Sequence, residues 1–125
     1  MKYLHLLQRL SEKSDGEAYR IGAILVKGGS VINAGFNHSG TNRMIENHRH
    51  LRPNNNTIHA EIHAILGTPK HIAEHCSMYV ARFTPGGRIG NSKPCTLCQA
   101  ILKEMGVKRV MYTIAGKNTY QQLNL

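Results

Sequence analysis

Two short stretches carry the residue types of metal-assisted hydrolysis, HAEIHAIL at residues 59–66 and KPCTLC at 93–98. The first sets His59, Glu61 and His63 into an otherwise apolar segment, where a buried charge needs a partner to offset its desolvation. The second supplies Cys95 and Cys98 at i and i+3, which puts both thiols on one side of a helix's first turn. The positive end of that helix favours thiolates, and Pro94 suits the start of the helix. Two thiolates so spaced bind Zn²⁺ well. By itself the CxxC pair leaves redox catalysis and chance open, although the redox use wants a thioredoxin-type unit around it.

Zinc on two cysteines needs further ligands, and a second CxxC is absent because Cys76 stands alone. A histidine must complete the set, and His59, at the opening of an apolar helix, is the best placed. His59, Cys95 and Cys98 leave a fourth position for water, which is the catalytic arrangement, whereas structural zinc sites are closed by four protein ligands. Glu61, two residues on, lies about 200° around a regular helix from His59. That separation disfavours it as a co-ligand. From a helix start it can instead reach over the open position, take a proton from the water and return it to a leaving nitrogen. His63 stands i+4 from His59, a spacing that also binds zinc, but the H-E-x-x-H pattern fails at Ala60. His63 therefore reads as a histidine at the core edge with a satisfied hydrogen bond, and Cys76 as a small buried hydrophobe.

The elements that position these residues can be read from patterning. Leu4, Leu7 and Leu10 recur at helical spacing within residues 2–14, and SDG at 14–16 ends that helix. RIGAILVKGGSVINAGFN at 20–37 reads as a hairpin turning at KGGS. Residues 38–57 are polar, basic and loop-like, longer than most connections. A helix follows at 58–66, ended by Gly67 and Pro69, then a strand at 77–83 and a second basic, glycine-bearing loop at 84–94. CTLCQAILKEMG at 95–106 is a helix with Leu97, Ile101, Leu102 and Met105 on its apolar face. A strand at 107–114 is joined to the terminal TYQQLNL by AGKN, too short for a parallel crossover, so the last strand returns antiparallel. The sum is one α/β domain over residues 1–125, with helices covering a mixed five-stranded sheet.

An apolar fraction of 41% supports a packed core and argues against disorder. No apolar run approaches the ~20 residues of a membrane span, and the N-terminus lacks a signal-peptide pattern. A cytoplasmic or nuclear location is expected, in keeping with three cysteines that suggest no disulfide framework. Sixteen Lys and Arg against seven Asp and Glu give a net charge of +9. That excess suggests phosphate among the partners, or else a plain basic surface.

HAE at 59–61 together with PCTLC at 94–98 resembles the zinc-dependent cytidine and deoxycytidylate deaminase superfamily signature, H-x-E…P-C-x-x-C. The 20–37 hairpin is similar to the first hairpin of deoxycytidylate and tRNA adenosine deaminases, and GVKRVMY resembles the strand after their cysteine helix. The resemblance implies a three-layer α/β/α sandwich with zinc as cofactor, held by His59, Cys95 and Cys98. It implies hydrolytic deamination, in which zinc hydroxide attacks the ring carbon bearing the amino group, Glu61 shuttles the proton and ammonia leaves. Asn37 matches a family asparagine that contacts sugar or base; as a bare residue it also reads as a turn former beside Gly35. Ala60 matches the small residue whose backbone lies against the base. The chain departs from tRNA adenosine deaminases in reading SKPC, without their glutamate. It departs from cytidine deaminases proper in using His59 where they use cysteine, and in reading NHS at 37–39. Its antiparallel final hairpin resembles the cytidine-type branch.

The two basic loops end at His59 and Cys95 and should frame the site. Arg52 in the first and Arg88 in the second are candidates to grip a 5′-phosphate, with Arg43, His48, Arg49, His50 and Lys93 nearby in sequence. Residues 43–52 and 88–93 could equally track single-stranded DNA or RNA. The scarcity of stacking aromatics tilts the expectation toward a free nucleotide or nucleoside, and the resemblance implies that its base is cytosine. The alternatives are a deaminase of cytosine or adenine in single strands, and a catalytically silent zinc domain that binds nucleic acid. A homo-oligomer that completes the pocket from a neighbour is also open.

Overall fold

The computed structural model describes residues 1–16 and 19–125. The chain runs through α1 (Leu4–Ser11), β1 (Arg20–Lys27), β2 (Ser30–Phe36), β3 (His38–Ser39) and α2 (Arg43–Asn47). A 3₁₀ turn (Arg49–Leu51), β4 (Thr57–Ile58), α3 (Ala60–Ile65), α4 (Lys70–Ala73) and β5 (Ser77–Phe83) follow. The last elements are β6 (Ile89–Gly90), α5 (Thr96–Glu104), β7 (Arg109–Tyr112) and β8 (Gln121–Asn124). Among the described residues no helix is long and apolar enough to cross a membrane.

Strand order in the main sheet is β2-β1-β5-β7-β8. Among the described residues only β5 and β7 run parallel, since the α5 helix between them provides the crossover; β8 returns antiparallel to β7, pairing Val110 with Leu123. The five-stranded mixed sheet with its C-terminal hairpin is therefore as expected, with the two-residue β6 added against the end of β5. At KGGS, Gly28 and Gly29 take φ of 55° and 84°, which lets Lys27 and Ser30 close a two-residue turn.

Side-chain alternation divides β1 between two layers. Ile24 and Val26 meet Leu7 of α1 with Ala81 and Phe83 of β5. Ala23 and Leu25 face Ala60, Ala64 and Leu102, which belong to α3 and α5. The result is the three-layer α/β/α sandwich. Two glycines set how closely the helices approach. A Cβ on Gly22 would lie 2.3 Å from the Leu7 carbonyl oxygen, and one on Gly35 would lie 2.5 Å from the Ala64 nitrogen and 2.7 Å from the Ala60 oxygen. Because backbone atoms block Gly35, α3 would have to withdraw from the sheet. Gly35→Ala is expected to cost about 3 kcal/mol or more, read as a lowered urea midpoint. An unchanged midpoint would show that α3 is not pinned there.

Two expectations need correction. The first helix spans Leu4–Ser11 rather than 2–14, because Tyr3 sits at φ 64°, outside helical space, and the Ser11 hydroxyl turns back onto the Gln8 carbonyl (2.6 Å). Residues 38–57 are not a loop but the β3–β4 ribbon enclosing α2 and the 3₁₀ turn. Asn42 caps α2 by accepting from the Ile45 N–H (2.9 Å), and Ile45 buries itself against Ile62, Leu97, Cys98 and Ile101. A helix of five residues carries too little periodicity to show in the sequence.

Candidate active site

Both halves of the site stand at helix starts, just outside the helices. His59 is the N-cap of α3 and Cys95 the N-cap of α5, each in extended conformation (φ −68°, ψ 153° and φ −72°, ψ 169°). The helical-wheel angle between His59 and Glu61 therefore does not apply, since His59 lies outside the wheel. Cys98 is one turn into α5 and fully buried. The packing of α3 on α5 brings the three residues together, their ligand atoms all within 4.8 Å of one another. His59 Nδ1 lies 3.6 Å from Cys95 Sγ and 3.2 Å from Cys98 Sγ. Two ligands of one tetrahedral zinc, one nitrogen and one sulfur, stand about 3.6 Å apart, so this donor set fits zinc.

The segment before Cys95 is held by a buried hydroxyl pair. The Ser92 N–H donates to the Thr113 carbonyl (3.0 Å), the Thr113 N–H to Ser92 Oγ (2.7 Å), and Thr113 Oγ1 donates to the Gly90 carbonyl (2.8 Å). These bonds tie the second loop to the end of β7. The Cys98 thiol and His59 hold the Cys95 thiol down at about 3, so it is a thiolate ready to ligate. Glu61 is 4% exposed, and its burial raises the carboxyl's hold on its proton.

Beside these residues opens a cavity of about 400 Å³. His59, Glu61 and Cys95 form one part of its wall, with Asn37 and His38 on another; Arg52, Arg82 and Lys93 bring positive charge. Of the remaining candidates, Asn37 accepts from the Ile21 N–H (2.9 Å) and donates to the Tyr19 carbonyl (2.6 Å) while lining the cavity. The side chain of Ala60 is fully buried in the core with Ala23, Leu25 and Ala64, while the expectation for this residue concerns its backbone. Arg88 is exposed in the tight turn between β5 and β6, its N–H bonded to Thr84 Oγ1 (3.1 Å), and is not part of the wall. His63 lies apart from the cysteines; its Nδ1 accepts from the Phe36 N–H (3.1 Å) and its ring packs edge-on against Phe36 and His38. Cys76 is buried and donates to the Ile72 carbonyl.

Sequence reasoning missed Arg82, whose guanidinium lies 4.3 Å over the Tyr19 ring. Its signal was available: an arginine inside the otherwise apolar strand SMYVARF. It also missed Asn55, one of three consecutive asparagines in a stretch read as a loop. The cations of that stretch divide by role. Arg49 pairs with Glu46, and His48 Nε2 lies 2.7 Å from Glu104, whereas Arg52 lines the cavity.

The sequence pattern of the family described as "Cytidine and deoxycytidylate deaminase zinc-binding region" matches residues 1–114. The chain belongs to that family. Its members are hydrolytic zinc deaminases, and His59, Cys95 and Cys98 of this chain are positioned to bind a metal ion. Among solved structures, a dCMP deaminase from the cyanophage S-TIM5 superposes with a TM-score of 0.59 at 21% identity, over 92% of this chain and 82% of that one. The same phage enzyme solved with dCMP and dUMP superposes equally well, at 22% identity over 88% and 76%. A cytidine deaminase from Burkholderia pseudomallei gives 0.59 at 17% identity, over 97% and 91%. At these identities the likeness is one of fold. No curated protein sequence matches the chain.

Proposed function

We propose that the chain hydrolytically deaminates the cytosine base of a free nucleotide or nucleoside, giving the uracil product and ammonia. The observation that carries this reading is the cavity of about 400 Å³ whose wall joins Glu61 to the metal-ligating set. That volume lies in the range of small-ligand pockets. His59, Cys95 and Cys98 would hold a zinc ion, which would supply Lewis-acid activation of a water, lowering its pKa toward about 7.

Glu61 is the proton carrier. It accepts a proton from the attacking water as the new C–O bond forms at C4 of the base, then delivers a proton to the amino nitrogen as the C–N bond breaks. Burial suits it to both steps, because a carboxyl that holds its proton more firmly is a better base when ionised and remains a competent acid. Asn37 keeps a second hydrogen-bonding valence on both its oxygen and its nitrogen, which fits it to a sugar or base contact. Arg52, with Arg82 and Lys93, suits a 5′-phosphate. The cyanophage enzyme, solved with dCMP and dUMP, supports a nucleotide of this kind.

Single-stranded nucleic acid is the second reading. The net charge of +9 favours it, as do the exposed Arg43 and His50 in the segment that supplies Arg52. The test is ammonia release by zinc-loaded protein on cytidine, deoxycytidine, their monophosphates, adenosine and short single strands of DNA and RNA. Turnover of a cytosine monomer is expected. Turnover of oligomers alone would replace the first reading by the second. Zinc binding without any turnover would leave a silent, zinc-stabilised domain.

A further inference from the structure

The hydrogen bonds around Asn55 define a device behind the metal site. Asn55 is 6% exposed, and its side chain lies between Thr57 and His59. Its Nδ2 donates to the Thr57 carbonyl (2.6 Å). A carbonyl only accepts, so this bond settles which end of the amide is nitrogen. The other end, Oδ1, then faces His59 Nε2 at 3.0 Å. An amide oxygen also only accepts, so Nε2 must carry the imidazole proton. Nδ1 is then the nitrogen turned toward the two cysteine sulfurs, the one that would ligate the metal.

Asn55 is itself held in place. Its N–H donates to the Arg52 carbonyl (3.1 Å), and its own carbonyl accepts from Arg49 Nη1. Arg49 in turn bonds Glu46, which accepts from Thr41 Oγ1 (2.8 Å). From this geometry we infer that Asn55 is a positioning residue: it fixes the tautomer and orientation of the zinc ligand His59, with Arg49 locking Asn55 from behind. An arginine counted by sequence among phosphate-gripping cations thus serves the metal centre through the backbone of residue 55. Outer partners of this kind typically govern metal affinity by about 10–100-fold.

The inference rests on the zinc reading of the site and is independent of the substrate. Two measurements on purified zinc-loaded protein test it. In competition with a colorimetric zinc chelator, Asn55→Leu is expected to weaken zinc binding by about 10–100-fold. Asn55→Asp, which keeps an acceptor oxygen before Nε2, should stay within a few-fold of wild type by the same reasoning. A residue needed only for folding would lower the melting temperature of both variants without separating their zinc affinities. In ¹⁵N-edited NMR of the wild type, the His59 Nε2–H should be visible and slow to exchange with solvent, a readout that survives if Asn55→Leu does not fold. Equal zinc affinity for wild type and Asn55→Leu overturns the inference, as does a His59 Nε2–H that exchanges freely. If the wild type binds zinc with these properties yet deaminates nothing, the proposed function falls and the inference stands.

Discussion

Glu61→Gln is expected to abolish deamination while zinc and fold remain. The substitution keeps the volume and hydrogen-bonding reach of a side chain packed in a wall where it is 4% exposed, but it removes the only role an amide cannot fill, which is carrying a proton. In the proposed reaction one residue serves as base for the water and acid for the amine, so both steps suffer. The expected loss in kcat/KM is about 10³-fold or more, in the upper range of general acid–base contributions. Stability should hold or rise slightly, because burial penalises the ionised carboxylate and the amide bears no charge. Ammonia release, the zinc-to-protein ratio and the melting temperature of wild type and variant make the comparison. Activity within tenfold of wild type, with zinc retained, would remove Glu61 from the chemistry.

Cys98→Ser should remove zinc and part of the fold together. Of the three candidate ligands Cys98 is the most deeply placed, fully buried among Ile45, Ile62, Leu97 and Ile101, and it joins α5 to the His59 segment. A serine hydroxyl is a poor zinc ligand and leaves a polar group in an apolar cluster. Metal bound only to the folded chain stabilises it by mass action, about 4 kcal/mol at a thousandfold excess over Kd. The variant should therefore lose zinc stoichiometry, turnover and several degrees of melting temperature. Chelator treatment should reproduce most of that loss in wild type and do nothing further to the variant. If chelator leaves the wild-type melting temperature untouched, zinc is not part of what holds α3 against α5.

The fold was readable where periodicity is long or chain reach is short. The apolar run of β1, buried on both faces, and the glycine turn at Gly28–Gly29 declare a central hairpin. The short AGKN link at 115–118 allowed only an antiparallel return, and in the structure eight residues, 113–120, join β7 to β8, which pair Val110 with Leu123. The segment 38–57 was not readable, because its structure depends on distant partners. Ile45 is helical because Leu97 and Ile101, some fifty residues away, provide the surface it covers. A short helix has no stability of its own to write into local sequence.

The site divides along the same line. Sequence by itself determined the candidate chemistry: a histidine and two cysteines of zinc-ligand type, which the structure brings together, and an acid near them, since residue types and close spacings constrain which atoms can bind a metal or carry a proton. Only the tertiary structure decided the surroundings. It put Arg82 on the cavity wall from the middle of a strand, left Arg88 at an exposed turn and Ala60 in the core, and turned Asn55 from a loop residue into the partner of His59. A cavity wall is assembled from side chains whose direction depends on strand register and helix packing. Those are set by contacts between residues far apart in the chain, and no local pattern records them.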